Sequence, residues 1–480
     1  MRGMSFLFDV LFPFWPVLAV ADLLLATLFS FIVISQKRDA SVTLAWVLGF
    51  FLFPFVSVLI YSFFGYQQFR LRRRRVPTPA HRLARSSDTA LFRAAIPPAL
   101  QNVERLAEGL TEYPVVGGNR VTVFDHANDT DNALAIAIQQ ARHHVHMCYY
   151  IVEPDRTGLR FRDLLIERAR QGVQCRLLMD AVGSFRIGKK FLQPLQDAGV
   201  ETAFFSPFRT FRRPWGFNFR NHRKLSVIDG QIGFLGSQNI GHHFWRSGAR
   251  HHHWRETDVR LEGPAAEELQ SVFVEDWNFA AGSALTGEPY FPLSPSRGTT
   301  LAQVLPTGPD RRENALSMIF LEAVHAARER VTVTTPYFIP TPPVALALES
   351  AARKGVRVDL LLPKKTDHPV VDFASRSWFK ELIASGVRIH QLGEGFLHSK
   401  VVTVDNQLAL VGSANMDTRS FLINFELSLL LYDQDVAGHL VKIFDRMAHH
   451  ATLVKVDELA ELSLTRQFSE GLCRLLSPIL

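Results

Sequence analysis

Cysteine is nearly missing. Only Cys148, Cys175 and Cys473 occur in 480 residues, an odd number, far apart and without a C-x-x-C pair, which excludes a disulfide framework and a structural zinc site. Charge is also sparse, at 21% of residues against 47% hydrophobic, so the chain is neither disordered nor of low complexity. Beyond residue 100 there is no excess of either sign. Lys and Arg outnumber Asp and Glu by 53 to 46, and the first 100 residues, with 11 basic and 4 acidic, hold the whole difference. A nucleic-acid binder spreads positive charge over its working surface, so the balanced body, 42 against 42, argues for no nucleic-acid partner.

What is present at the N-terminus is apolar length. Residues 17–34 are interrupted only by Asp22, and residues 42–64 contain no charge. About 20 apolar residues span a hydrocarbon core, which predicts two transmembrane helices at about 14–35 and 42–64, with Pro54 able to kink the second. Asp22, a single basic Arg2 and the lack of an A-x-A-like site before Lys37 and Arg38 oppose a cleaved signal peptide. Arg70, Arg72, Arg73, Arg74, Arg75, Arg82 and Arg85 follow the second run. The positive-inside rule then places the remainder in the cytoplasm. The same arginines can also hold anionic headgroups.

From about residue 105 strands and helices alternate, and they do so twice. Residues 145–152 and 173–180 read as strands around a helix at 159–171, and the order returns as 331–339, 344–354 and 356–363. Arg170 to Met179 aligns with Arg353 to Leu362 without a gap, as in a duplicated α/β unit. Each copy ends in one polar template, H-x-K-x4-D-x6-G-S-x-N. The first comprises His222, Lys224, Asp229, Gly236, Ser237 and Asn239; the second His398, Lys400, Asp405, Gly412, Ser413 and Asn415. A chance second match is on the order of 10⁻⁵ from average residue usage.

Side chains alternate along a strand, so His398 and Lys400 share a face and point at one anion. Ser and Asn add neutral hydrogen bonds, and Gly412 lets the backbone approach a phosphate. Two such halves give two imidazoles around one phosphoryl group: one attacks phosphorus while the other protonates the leaving oxygen. Lysine charge takes the place of a metal, predicting ping-pong phosphodiester exchange with no metal and no cofactor. Asp229 and Asp405 read equally as turn-closing residues.

On these residues the chain resembles the phospholipase D superfamily, whose duplicated HKD motif is this template. The resemblance implies two α/β/α repeats sharing one site. Asn218 to Lys224 (NFRNHRK), Thr335 to Pro340 (TPYFIP), Asn415 to Phe421 (NMDTRSF) with Asn424 and Glu426, and Arg474 to Pro478 (RLLSP) resemble the bacterial cardiolipin synthases. It departs from them after Asn239, where Ile-Gly-His-His-Phe replaces an acidic residue and tyrosine.

The resemblance implies a cardiolipin synthase: phosphatidyl transfer between two phosphatidylglycerols, releasing glycerol through a phosphohistidine. A phospholipase D hydrolase, or a transferase with another donor or alcohol, uses the same residues. By similarity His222 is the nucleophile and His398 the acid/base, an assignment that can be swapped. Glu426 and Glu256 are expected to orient the histidines, although Asp258 lies two residues beyond Glu256 on its strand face. Ser237, Asn239, Ser413 and Asn415 are expected on the phosphate.

The expected organisation is a membrane anchor at 1–69, a basic linker at 70–105, a first repeat at 106–300 and a second at 301–480, in a bacterial inner membrane. Three features lie outside this scheme. His242, His243 and His251 to His253 read as a solvated loop rather than ligands. Arg209, Arg212 and Arg213 among Phe208, Phe211, Trp215 and Phe217 read as an interfacial patch or an ordinary loop. Leu464, Phe468, Leu472, Leu475 and Leu476 recur at helical spacing and are expected in the core, with membrane contact as the lesser reading.

Overall fold

The computed structural model describes residues 15–36, 40–65, 88–205, 219–241, 254–283, 285–311, 314–393, 395–457 and 463–477. The inter-helix Lys37 and Arg38, the arginines from Arg70 to Arg85, the Arg209 to Arg213 patch and the histidines at 242, 243 and 251 to 253 lie outside the described residues. Two compact units emerge, an N-terminal one and one holding both repeats.

In the N-terminal unit the first apolar run forms a helix, Trp15–Ser35. The second run is divided. Ala40–Leu52 stops at Phe53 and Pro54–Ile60 begins again, because proline drives its preceding residue out of the helical region, here to φ −141° and ψ 67°. Ser57 Oγ donates to Gly49 O across the break at 2.8 Å. Ala26, Val33, Phe50 and Tyr61 form a small core, and the Tyr61 hydroxyl donates to Gln36 Oε1. Outward faces carry Leu24, Phe31, Phe55 and Leu59, all more than half exposed. Among the described residues no helix is long and apolar enough to cross a membrane.

The second unit is a duplicated α/β structure built on one 15-stranded sheet. In the first repeat His144–Tyr149, Gln174–Asp180 and Glu201–Phe205 run parallel. Such strands are buried on both faces, and every residue of His144–Tyr149 and all but the first of Gln174–Asp180 are buried, the polar His144, His146, Arg176 and Asp180 included. Lys224–Ile228 lies antiparallel on the other side of His144–Tyr149, followed by Ile232–Gly236, Asp258–Glu262 and Val116–Phe124. The second repeat reproduces this order with Arg330–Thr334, Arg357–Pro363 and Arg388–Leu392 parallel, then Val401–Val404, Leu408–Gly412, Glu426–Tyr432 and Thr300–Thr307. The leading strands, Val116–Phe124 and Thr300–Thr307, pair antiparallel at the centre. Both templates consequently begin at equivalent strand ends.

Helices follow the expected rhythm. Arg156–Arg170 starts where Asp155 accepts from the Gly158 N–H at 3.0 Å, and Pro342–Arg353 starts with proline in its first turn. Inside the expected linker, Asp88–Ala95 and Gln101–Thr111 are helical, and Leu100, Val103, Ala107 and Leu110 join the core of the second repeat. One expectation is overturned. Leu464, Phe468, Leu472, Leu475 and Leu476 lie on or just after Leu464–Leu475 but are exposed, because that helix packs by its opposite side against Pro369–Arg376.

Candidate active site

The two templates meet through crossed backbone contacts. His222 N–H donates to Phe425 O at 2.9 Å, and Asn221 bridges the same segment of the other repeat. His398 N–H donates to Arg255 O, also at 2.9 Å, where Phe396–Leu397 pairs with Trp254–Arg255. The next residue on each receiving segment is a glutamate. Each histidine is thereby held by the opposite repeat: His222 Nδ1 lies 3.0 Å from both Glu426 oxygens, and His398 Nδ1 lies 3.0 Å from both Glu256 oxygens.

Burial alone raises a carboxyl pKa, but the neighbouring histidine and lysine hold both glutamates below the usual range, so each stays an anionic acceptor. The proton of each imidazole then sits on Nδ1, leaving the Nε2 lone pair for chemistry. Burial pushes the His222 pKa down to about 4 and lowers that of His398, against the pull of the glutamates. Both rings are therefore neutral nucleophiles at neutral pH before an anion arrives. Tyr150 meets the His222 ring edge-on, with centroids 4.9 Å apart.

Lys224 and Lys400 are nearly fully buried, and their Nζ groups donate to His222 O at 2.7 Å and His398 O at 2.6 Å. Burial lowers their pKa values to about 7 and about 8, with Glu426 and Glu256 respectively opposing most strongly. A phosphodiester between them restores full charge, since an opposite charge favours the ammonium form.

The motif serines are placed behind the histidines rather than on an open anion site. Ser413 Oγ donates to Glu426 Oε2, and Ser237 hydrogen-bonds Glu256 and donates to Thr257 O. Their small hydroxyls reach the glutamates because Gly236 and Gly412 bring the strands together: a Cβ at either would lie within 2.6 Å of Asp258 or Ser428. Asn239 Oδ1 accepts from Ile151 N–H at 3.1 Å. Asn415 hydrogen-bonds Asp417, while its buried Oδ1 has no partner among the described residues.

Asp229 and Asp405 require a larger correction as expected site residues. Each follows the far end of its motif strand, at φ 52° and 50°, and closes a turn. Asp229 accepts from the backbone N–H groups of Arg142, His143 and His144, and Asp405 from those of Arg328, Glu329 and Arg330, all at 2.7–2.9 Å. Three amide donors occupy three of the roughly four acceptor sites of each carboxylate. Asp229→Ala is expected to cost about 1–3 kcal/mol of stability, from the orphaned amides, while leaving kcat of the folded protein unchanged. Thermal melts and active-site-normalised rates check this, and a rate collapse without a stability loss contradicts it.

The halves differ in one respect that sequence reading missed. Gly236 faces Asp258 across the sheet, whereas the equivalent Gly412 faces Ser428. Asp258 is buried beside Glu256 with Asp131 nearby, and Gln238 Nε2 donates to Asp131 at 2.8 Å. Burial raises these two acids to about 8 and about 7. The cavity touching Lys224 has Asp131, Gln238 and Asp258 in its lining beside Leu134, Phe234 and Ile240, and its counterpart touching Lys400 has Thr334, Thr335 and Asn415 beside Leu316, Phe320 and Phe421, with no carboxylate among the described residues. Aligning Glu256-Thr257-Asp258 with Glu426-Leu427-Ser428, and GSQN with GSAN, was the signal available in sequence.

Two crossed His–Glu pairs and two lysines on a duplicated α/β sheet define a phosphodiester-transferring domain of the phospholipase D type. A family model described as "Cardiolipin synthase, PLD-like domain" matches residues 134–277 and 320–448, and one described as "Phospholipase_D-nuclease N-terminal" matches residues 24–65. The cardiolipin synthase of Geobacillus kaustophilus is 35% identical over 463 residues, covering 95% of this chain and 92% of that protein. Cardiolipin synthase 2 of Bacillus anthracis is also 35% identical, covering 95% and 90%. The chain belongs to the cardiolipin synthase family. The solved phosphatidylserine synthase of Haemophilus influenzae shares the fold, with a TM-score of 0.56 at 14% identity, covering 80% of this chain and 100% of that one.

Proposed function

We propose that this protein, a phosphatidyltransferase of its family, transfers a phosphatidyl group between two phosphatidylglycerols, giving cardiolipin and glycerol. The crossed His–Glu pairs carry this reading, because a glutamate on each Nδ1 fixes the tautomer in which Nε2 is the basic nitrogen of both imidazoles. His222 Nε2 attacks phosphorus while His398, protonated once the anionic diester binds, donates its proton to the departing glycerol oxygen. The P–O bond breaks and phosphatidyl-His222 forms. His398 then takes the proton from a hydroxyl of the second phosphatidylglycerol headgroup, whose oxygen displaces His222. Lys224 and Lys400 balance the charge on the equatorial oxygens throughout.

The choice of His398 as acid/base is supported by the difference between the halves. Its glutamate, Glu256, is backed by Asp258 and Asp131, acids whose pKa values burial raises to about 8 and about 7, so that they can take up or release a proton as the charge on the imidazole changes. Ser237 and Ser413 hold the glutamates, Asp229 and Asp405 hold turns, and Asn239 and Asn415 remain assigned to the phosphate. We also assign residues 1–69 to a two-span membrane anchor, 70–87 to a basic connection, and 106–300 and 301–480 to the repeats, with 88–105 packed on the core of the second. The arginines after the second apolar run support a cytoplasmic catalytic part in an inner membrane.

Purified full-length protein in phosphatidylglycerol micelles with a metal chelator tests the reaction. Cardiolipin and glycerol in equal amounts are expected; phosphatidic acid as the main product would make it a hydrolase, and no product would demand another donor. The pH dependence has a definite sign. kcat/KM rises through about pH 4 as His222 loses its proton, begins to fall as His398 loses the proton it must donate, and falls further above about 7–8 as the two lysines lose theirs. A rate-versus-pH profile with dispersed short-chain substrate checks both limbs, and no decline up to pH 9.5 contradicts the lysine role.

A further inference from the structure

The C-terminal helix turns its apolar side away from the protein. Leu464, Phe468, Leu472, Leu475 and Leu476 are 83, 72, 51, 77 and 40% exposed, and at 3.6 residues per turn they occupy one arc of about 120°. The other side is already committed. Cys473 packs with Tyr337, Ile339, Val371 and Ala374, and Glu470 is buried beneath Arg466. Tyr337 and Ile339 belong to a wall of the active site: Phe338–Ile339 pairs with Met416–Asp417, immediately after Asn415, and Thr335 Oγ1 accepts from the Met416 N–H. The helix therefore braces the cleft with one face and offers the other to its surroundings.

The two arginines of the helix belong to its packed side rather than to the apolar arc, each about 80° beyond an edge by helical geometry. Arg466 pairs with Glu470, and Arg474 lies 3.8 Å over the Trp378 ring and pairs with Glu381 at 3.6 Å. Five partly exposed side chains supply on the order of 500 Å² of contact, short of the roughly 800 Å² per partner in a stable protein interface. A bilayer sets no such threshold.

We propose that Leu464–Leu475 is an interfacial membrane contact, its leucine and phenylalanine stripe entering the headgroup–acyl boundary of a bilayer. The inference rests on the phospholipid-substrate reading, because a cleft that consumes a bilayer lipid must be held at headgroup depth. Its position beside Tyr337 lets one helix dock the protein and support the active-site wall.

The test uses the full chain reconstituted in phosphatidylglycerol vesicles. Phe468→Cys in a Cys473→Ser background takes an environment-sensitive fluorophore, with Cys148 and Cys175 buried, and exposed Gln196→Cys serves as the reference position. The Phe468 probe is expected to shift to the blue and to be quenched by lipids brominated in their acyl chains, while the Gln196 probe stays water-like. A water-like, unquenched Phe468 probe overturns the proposal. So does shielding that grows with protein density without bromine quenching, which marks self-association. Leu472→Glu with Leu475→Glu is expected to lower the ratio of turnover on vesicles to turnover on dispersed short-chain lipid by about 10-fold, and an unchanged ratio contradicts it. Quenching needs no catalysis, so absence of cardiolipin formation would overturn the proposed reaction alone.

Discussion

His222→Ala is expected to lower turnover by roughly 10⁴-fold or more, with any leaving group, because it removes the atom proposed to bond to phosphorus. His398→Ala lowers turnover of phosphatidylglycerol by a similar factor, but the two variants part with an activated substrate. A phosphatidyl ester of nitrophenol leaves without a proton, so His398→Ala releases one equivalent of nitrophenolate in a burst and then stalls. His222→Ala gives no burst. The reverse pattern would exchange the two roles, and bursts from both would remove the distinction. Since both rings are buried against a glutamate, circular dichroism and melting of each variant separate a lost reaction from a lost fold.

The second large effect is expected at residues that never meet the substrate. Glu426→Gln keeps the shape of the side chain but presents an amide to His222 Nδ1, which can trap the ring in the tautomer whose proton sits on Nε2. Removing the acceptor charge in a comparable acid–histidine pair costs about 10⁴ in kcat, and a loss of about 10²–10⁴ is expected here for Glu426→Gln and Glu256→Gln. A positioning role predicts that kcat falls while KM for dispersed lipid hardly moves, and that Glu426→Asp recovers more activity than Gln. A change confined to KM would place these glutamates on the substrate instead. Because the pairs cross between repeats, each substitution is expected to silence the histidine of the other repeat.

That crossing was illegible in the sequence. The templates were readable because alternation along Lys224–Ile228 and Val401–Val404 is a local property, and the duplicated order of strands and helices follows from local periodicity. The contact between His222 and Glu426 spans 204 positions, and no spacing rule encodes which glutamate faces which histidine. Asp229 and Asp405 illustrate a second limit: an aspartate after a strand has the same spacing whether it faces a substrate or collects backbone amides at a left-handed turn. The serines erred in the same way, being small hydroxyls whose partner is chosen by the approach of the strand beyond Gly236 and Gly412. For Leu464–Leu475 the periodicity identified an apolar face but carried no information about whether protein lies against it. Pro54 was visible as a disturbance, yet its effect depended on the conformation taken by Phe53.

The asymmetry between Asp258 and Ser428 was present in the sequence as a mismatch between two otherwise matching repeats. Its meaning emerged only when the strand pairing placed both residues opposite equivalent glycines. The side with extra acids is the one whose histidine is asked to gain and lose a proton.

The central claim is that one histidine carries the phosphatidyl group between donor and acceptor. Rapid alkaline quenching of the wild-type protein during its first turnover of phosphatidylglycerol, followed by peptide mass spectrometry, tests it most directly, since phosphoramidates survive base better than acid. A phosphatidyl adduct on His222 that forms and decays at the rate of cardiolipin appearance is the predicted result. An adduct on His398, or full turnover with no adduct on either histidine, would contradict the account.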